Sequence, residues 1–214
     1  MAKGNQKPLS PPKRAQHSTA SVRPSTVLLF GGQSFEKNSG CNTGRDGIET
    51  SGASKTNVCY DTWLYYHDAE GWVLWSTENR TLTDYPTGRH STAMASLMDK
   101  DETVLMFGGY DAHGNSLDDT WTWNNQTGWV KYNIFESGRP GARNGHAMAS
   151  LAPNQVVMFG GSSQVAAYQD TWVFTVTSQN SFDGVWTKLD IETGKFVLNH
   201  KIFYLGLNCS FPYI

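Results

Sequence analysis

Three short apolar runs that each end in two glycines decide the fold: VLLFGG at 27–32, VLMFGG at 104–109 and VVMFGG at 156–161. A continuous apolar run of this length that stops at glycine predicts a strand buried on both faces. Paired glycines allow backbone dihedrals closed to other residues and a close approach of another chain segment. Because the pattern occurs three times, we predict three copies of one structural unit. The glycines are Gly31, Gly32, Gly108, Gly109, Gly160 and Gly161.

Other elements recur around each run in a fixed order. An Arg/His pair stands upstream, Asp-Thr-Trp follows at 61–63, 119–121 and 170–172, and a further tryptophan follows that. Six of the 8 tryptophans fall on repeat positions, so the pattern is not a product of composition. We interpret the histidines (His17, His90, His146) as equivalent members of a hydrogen-bond network in the first strand, and the aspartates as turn-bonding residues. The remaining repeat positions are Asp61, Trp63, Trp72, Asp119, Trp121, Trp129, Asp170, Trp172 and Trp186.

Each unit has the pattern of four short strands. The first covers 90–97 or 146–151, the apolar run is the second, an alternating Trp-x-Trp or Trp-x-Phe segment is the third, and the later tryptophan lies on the fourth. No segment shows a helical period of 3.6 residues. The sequence therefore predicts an all-β protein.

The order Arg/His, apolar-Gly-Gly, Asp-Thr-Trp, Trp resembles the kelch repeat, which has a period of about 50 residues. The resemblance implies a kelch-type β-propeller with about three four-stranded blades. It places them at 14–85, with an insertion at 33–59, at 86–135 and at 136–190. A disordered leader (1–13) and a tail without repeat elements (191–214) complete the predicted organisation.

Three blades are fewer than the ~4–8 of a typical closed propeller. An open fan leaves two unpaired flanks, which natural proteins avoid. Three explanations stay open: a piece of a larger propeller, two copies that complete one ring, or a partial propeller packed on another structure. The lack of repeat elements in the tail favours the first explanation.

Kelch resemblance implies protein–protein recognition by loops on a rigid scaffold, as in a scaffold or adaptor. The loops between Gly-Gly and Asp-Thr-Trp differ most between the units, at 33–59, 110–118 and 162–169. The partner itself is not indicated. The predicted contact residues are Gln33, Tyr110, Asp111, His113, Asn115, Ser163, Gln164 and Tyr168.

The sequence gives little support to other functional classes. The histidines lack zinc-type spacing, and no phosphate-binding loop occurs, so we expect no metal, no cofactor and no catalytic residue. A kelch-fold enzyme of the galactose-oxidase type needs a Tyr, His and Tyr–Cys ligand set, which the cysteines at 41, 59 and 209 do not match. A net charge of −2 argues against a nucleic-acid partner, and no apolar run is long enough to span a membrane.

The cellular compartment stays open. The N-terminal segment does not resemble a secretory signal, which favours the cytoplasm. Cys41 and Cys59 could form a disulfide within the first insertion, and glycosylation patterns begin at Asn79, Asn125 and Asn208. Those features suit an extracellular kelch module of the attractin-like kind, which is the alternative to an intracellular adaptor.

Overall fold

The computed structural model describes residues 10–35, 57–75, 85–132, 138–177, 184–190, 195–198 and 201–204. Within these ranges the chain forms strands and turns, and the strands build three antiparallel sheets in chain order. The predicted all-β fold, a partial β-propeller with three sheets as blades, is confirmed. In the same ranges no helix is long and apolar enough to cross a membrane. The leader up to residue 9, residues 36–56 and most of the tail lie outside the described part.

Sheet 1 has the strand order β1-β2-β5-β6. Its strands are β1 (Ser18–Arg23), β2 (Thr26–Phe30), β5 (Thr62–Tyr66) and β6 (Gly71–Trp75). The two-residue strands β3 (Gln33–Ser34) and β4 (Asn57–Val58) pair with each other. This pair closes the base of the predicted insertion.

Sheet 2 differs from the prediction in its first strand, which is broken rather than continuous over 90–97. Ser91 has a φ of 53°, and this left-handed residue separates two pieces that both pair with β9. The strands are β7 (Arg89–His90), β8 (Ala93–Ser96), β9 (Val104–Asp111), β10 (Ser116–Asn124) and β11 (Gly128–Tyr132).

Sheet 3 again has its four strands in sequence order. They are β12 (Ala147–Ala152), β13 (Gln155–Phe159), β14 (Thr171–Val176) and β15 (Gly184–Leu189). The strands β16 (Lys195–Leu198) and β17 (Lys201–Tyr204) form a separate hairpin in the tail.

The apolar cores lie between successive sheets. Leu28 and Phe30 pack against Met106 of sheet 2, and Leu105 and Phe107 pack against sheet 3. The run in β9 is thus buried on both faces, as predicted. In β13 that prediction is wrong: Phe159 is 54% exposed, because no described sheet covers the outer face of sheet 3.

Candidate functional site

A buried arginine–aspartate–tryptophan unit fixes one end of every sheet. In sheet 2, Arg89 donates to the Asp119 carboxylate at 2.5 and 2.9 Å, and the Trp121 indole donates to the same carboxylate at 2.7 Å. Arg89 also donates to the backbone oxygen of Gly108 at 3.0 Å, which ties the first glycine of the pair to the unit. The same contacts occur in sheets 1 and 3, with Arg14–Asp61–Trp63 and Arg143–Asp170–Trp172.

The prediction that these aspartates bond turns is therefore wrong, because their carboxylates bind arginine instead. The arginine side chains are at most 2% exposed, and a buried guanidinium requires a counter-charge. The turn-bonding role belongs to Asp111, whose carboxylate accepts from the backbone nitrogens of His113 and Asn115 at 2.9 and 2.8 Å.

The ion pairs hold two of the carboxylates in their charged form. Burial alone would raise the pKa of Asp119, but the Arg89 ion pair and the Trp121 indole outweigh it and keep that pKa below its ordinary value. The hydrogen bonds from Arg143 likewise lower the pKa of Asp170. Carboxylates saturated in this way are structural groups and are poorly suited to general acid–base chemistry.

The predicted equivalence of the three histidines is wrong. His17 and His146 stand three residues after their arginine, and their Cβ atoms lie 3.0 and 2.8 Å from the site that a side chain on Gly32 or Gly161 would occupy. Thr92 holds this position in sheet 2, at 2.9 Å from the corresponding site on Gly109, whereas His90 stands one residue after its arginine.

The histidines also do not form the predicted network: the hydrogen bond of the His90 ring, at 3.0 Å, is a local contact with the hydroxyl of the adjacent Ser91. Within the described part of the chain, neither ring nitrogen of the buried His146 forms a hydrogen bond. Burial, with a further contribution from Arg143, lowers the pKa of His146 to about 4. Arginine carries the network instead. The signal in the sequence was that every unit contains one arginine and one aspartate at repeat positions, which is the stoichiometry of an ion pair.

Backbone hydrogen bonds join each sheet to the next beside these units. The nitrogen of Gly32 donates to the oxygen of Arg89 at 2.9 Å, and Gly109 donates to Arg143 at 2.9 Å. Indole groups add a second link, because Trp129 donates to Thr62 at 2.9 Å and Trp186 donates to Thr120 at 3.1 Å. Successive sheets therefore have a fixed relative position at this end.

Four of the predicted contact residues lie at the end of β9 or in the loop that joins it to β10. His113 and Asn115 are exposed at its tip. Tyr110 is half-buried, and its ring lies 5.4 Å from that of His90. The Asn115 side-chain amide also donates to the Asp111 carboxylate, at 3.1 Å, so within this loop His113 is the predicted contact residue most available to a partner.

The loop between β13 and β14 lies beside the first. Gln164 is exposed, and its amide donates to the backbone oxygen of Gly114 at 2.8 Å, which joins the two loops into one surface. Ser163 accepts from the backbone nitrogens of Val165 and Ala166 at 3.3 Å.

Two further predicted contact residues support the scaffold. The Arg143 guanidinium lies 4.2 Å from the ring centre of Tyr168, so that ring covers the buried ion pair. Gln33 lies in β3, which pairs with β4 outside sheet 1, and its amide donates to the side-chain oxygen of Gln16 at 2.5 Å.

Cys59 is fully buried and disulfide-bonded, with its partner outside the described residues. Cys41, the predicted partner, also lies outside them. Among the residues that the structure describes, no three His, Cys, Asp or Glu side chains are grouped so that they could hold a metal ion.

Comparison with known proteins gives two relatives, and no protein-family model matches the chain. The chain is 30% identical over 166 residues to the tRNA wybutosine-synthesizing protein 4 of Aspergillus fumigatus, across 76% of this chain and 13% of that protein. It is 27% identical over 183 residues to an F-box/kelch-repeat protein of Arabidopsis thaliana, across 82% of this chain and 33% of that protein. The chain thus spans at most a third of either relative, and the second similarity is compatible with kelch repeats.

Proposed function

We propose that the chain is a kelch-repeat protein-interaction module, a scaffold or adaptor rather than an enzyme. The joined surface of the two loops at 110–115 and 162–168 carries this proposal, because a rigid framework holds exposed polar side chains from two sheets side by side. The kelch part of one relative's name and the three repeated sheets support it.

The state of the carboxylates supports an interaction module over catalysis. Each repeat aspartate is bound by a buried arginine and by an indole, so the three most regular acidic groups have no free role in chemistry. The exposed side chains on the joined loops include the polar His113 and Gln164 and the apolar Val165, which is 92% exposed, so this surface offers a partner both polar and apolar contacts.

Site-specific photo-crosslinking tests the proposal. A photoreactive amino acid replaces His113 or Gln164 on the joined loops, and Met98 serves as the matched control because it is 47% exposed in the turn before β9, at the opposite end of the sheets. We expect the loop positions to crosslink one protein in cell extract, and an excess of unlabelled chain to compete. Equal labelling of the same protein from Met98, or labelling that an excess of unlabelled chain does not reduce, would contradict a loop-mediated function.

A further inference from the structure

The hairpin that joins β10 to β11 carries two adjacent asparagines in different environments. Asn124 is buried, and its side-chain oxygen accepts from the backbone nitrogens of Gln126 and Thr127 at 2.9 and 2.8 Å. The Thr127 hydroxyl donates to the same oxygen at 3.0 Å. Asn125 is exposed, and no described residue forms a hydrogen bond with its side-chain amide. Asn124 therefore holds the hairpin in shape, and the amide of Asn125 is left accessible at the tip.

Asn125 is also the first residue of an acceptor pattern for asparagine-linked glycans, Asn-x-Thr over 125–127. Glycans on this pattern are bulky and require a surface position, which the hairpin tip provides. The two other patterns in the chain begin at Asn79 and Asn208, outside the described residues. Within the described ranges, Asn125 is thus the asparagine that combines the acceptor pattern with an exposed side chain.

A disulfide bond elsewhere in the chain points to the compartment in which such glycans are added. Cys59 is fully buried and disulfide-bonded. Disulfides form and persist in oxidising environments, which include the lumen of the endoplasmic reticulum and the outside of the cell. Asparagine-linked glycans belong to surface loops of secreted proteins, which pass through that lumen. The hairpin and the disulfide therefore indicate the same route, although they involve separate residues.

The hairpin lies at the end of sheet 2 opposite the proposed contact loops. Strand β10 begins beside the loop at 110–115 and ends at Asn124, and its nine residues at about 3.3 Å each separate its two ends by about 25 Å. Asn125 follows the last strand pair, Asn124 with Gly128, so it lies beyond the paired part of the sheet. A glycan at this tip would leave the exposed His113 accessible to a partner.

We propose that Asn125 is a glycosylation site that accepts an oligosaccharide from a lipid-linked diphosphate donor. The side-chain nitrogen of Asn125 forms a bond to the anomeric carbon of the first sugar, and the bond from that carbon to the diphosphate oxygen breaks. The lipid diphosphate leaves with the electron pair of the broken bond, and the amide loses one proton. The Thr127 hydroxyl, which the pattern requires, is bonded to Asn124 in the finished hairpin, so the transfer precedes hairpin closure.

Peptide mass spectrometry of the native protein, isolated from the cells that produce it, tests the proposal. Peptide N-glycosidase in heavy-oxygen water converts a glycosylated asparagine to an aspartate that carries the heavy oxygen. We expect this aspartate at position 125 in the treated sample and not in a sample kept in the same water without enzyme. Equal labelling of the two samples would indicate spontaneous deamidation and would overturn the proposal. Recovery of position 125 as unmodified asparagine throughout would also overturn it.

Two variants of the full chain, produced in the same cells, test the roles of the acceptor and the hydroxyl. Asn125→Gln should lose the mass of one glycan, and it should still fold because no described residue bonds to that side chain. Thr127→Ser is the matched control, since it keeps the hydroxyl that the pattern requires and should keep the glycan. An Asn125→Gln chain with the mass of the glycosylated wild type, or a Thr127→Ser chain without the glycan, would contradict the assignment.

The glycan and the proposed contact surface can be separated experimentally. The inference is independent of the proposed function, because the hairpin and the contact loops lie at opposite ends of sheet 2. Asn125→Gln should therefore leave photo-crosslinking from His113 and Gln164 unchanged. Crosslinking lost together with the glycan would contradict the separation of the two sites.

Discussion

A methyl group on Gly108 would lie 2.5 Å from the backbone oxygen of Arg143 in the neighbouring unit, well inside the van der Waals contact distance between a carbon and an oxygen. The glycine is required for two reasons, because its φ of 60° is also in the left-handed region. Gly160 holds the same place in sheet 3 with a φ of 72°, but there the nearest atom would be 3.5 Å away. A comparison of Gly108 with Gly160 therefore separates the effect of backbone strain from the effect of the neighbouring backbone lying close to the glycine.

We therefore predict that Gly108→Ala destabilises the chain more than Gly160→Ala. Both substitutions lose about 1–2 kcal/mol to the left-handed backbone. Gly108→Ala loses about 1–3 kcal/mol more, because the two sheets must move apart. Urea unfolding measures the free energy of unfolding of both variants. Equal losses in the free energy of unfolding would show that the close contact with the neighbouring backbone is not the reason for a glycine at position 108.

Removing the Asp119 charge should be severe. Asp119→Asn leaves the fully buried Arg89 guanidinium without its counter-charge, which costs about 3–5 kcal/mol. Asp118→Asn is the matched control, since Asp118 forms an ion pair with Arg139 at 3.0 Å in which both side chains are at least 42% exposed. That pair is worth about 0–1 kcal/mol. Similar midpoints for the two variants in chemical unfolding would refute the structural role of the buried pair.

The arginines show how far sequence reasoning reached. Repeated apolar runs, glycine pairs and Asp-Thr-Trp segments predicted the three sheets, because strand period and glycine placement are local signals. The partner of each aspartate was not predicted, since Arg89 and Asp119 are 30 residues apart and only the fold brings them together. His90 was misassigned because it sits next to an arginine, whereas the contact with the second glycine selects Thr92.

The candidate site was predictable only as a set of loops. The repeat pattern showed which loops differ between the units, but not which of their side chains form contacts within the protein. The carboxylate of Asp111 and the ring of Tyr168 support the scaffold, and only coordinates show that Gln164 reaches Gly114 in the neighbouring loop. Contacts of that kind depend on the position of one sheet relative to the next.

His146 should make stability depend on pH. Its pKa is about 4 in the folded chain against an ordinary 6.5, so the unfolded chain takes up a proton first as the pH falls. The contribution is fully present above pH 6.5 and is lost as the pH falls to about 4, for a total of about 3 kcal/mol at 1.36 kcal/mol per pKa unit. Burial lowers the pKa values of His17 and His90 as well, which adds in the same direction.

The variant His146→Thr should flatten this dependence. Thr92 occupies the same position in sheet 2, where its hydroxyl donates to the Phe107 oxygen at 2.9 Å, so threonine suits the site. Free energies of unfolding at pH 7.0 and 4.5 measure the change, and His113→Thr is the control because His113 is exposed. An unchanged pH slope in His146→Thr would place the titration elsewhere.

Hydrogen bonds from indole groups stabilise the contact between successive sheets. Thr120 is 2% exposed and its hydroxyl accepts from Trp186 at 3.1 Å, so the nearly isosteric Thr120→Val leaves a buried indole N–H without a partner. Such a group costs about 1–3 kcal/mol. Thr171 holds the equivalent place in sheet 3, and no indole of the described residues donates to its hydroxyl. We expect Thr171→Val to change stability by less than about 0.5 kcal/mol. Thermal unfolding of the two valine variants measures the difference, and equal losses would mean that the hydroxyl acts within its own sheet rather than between sheets.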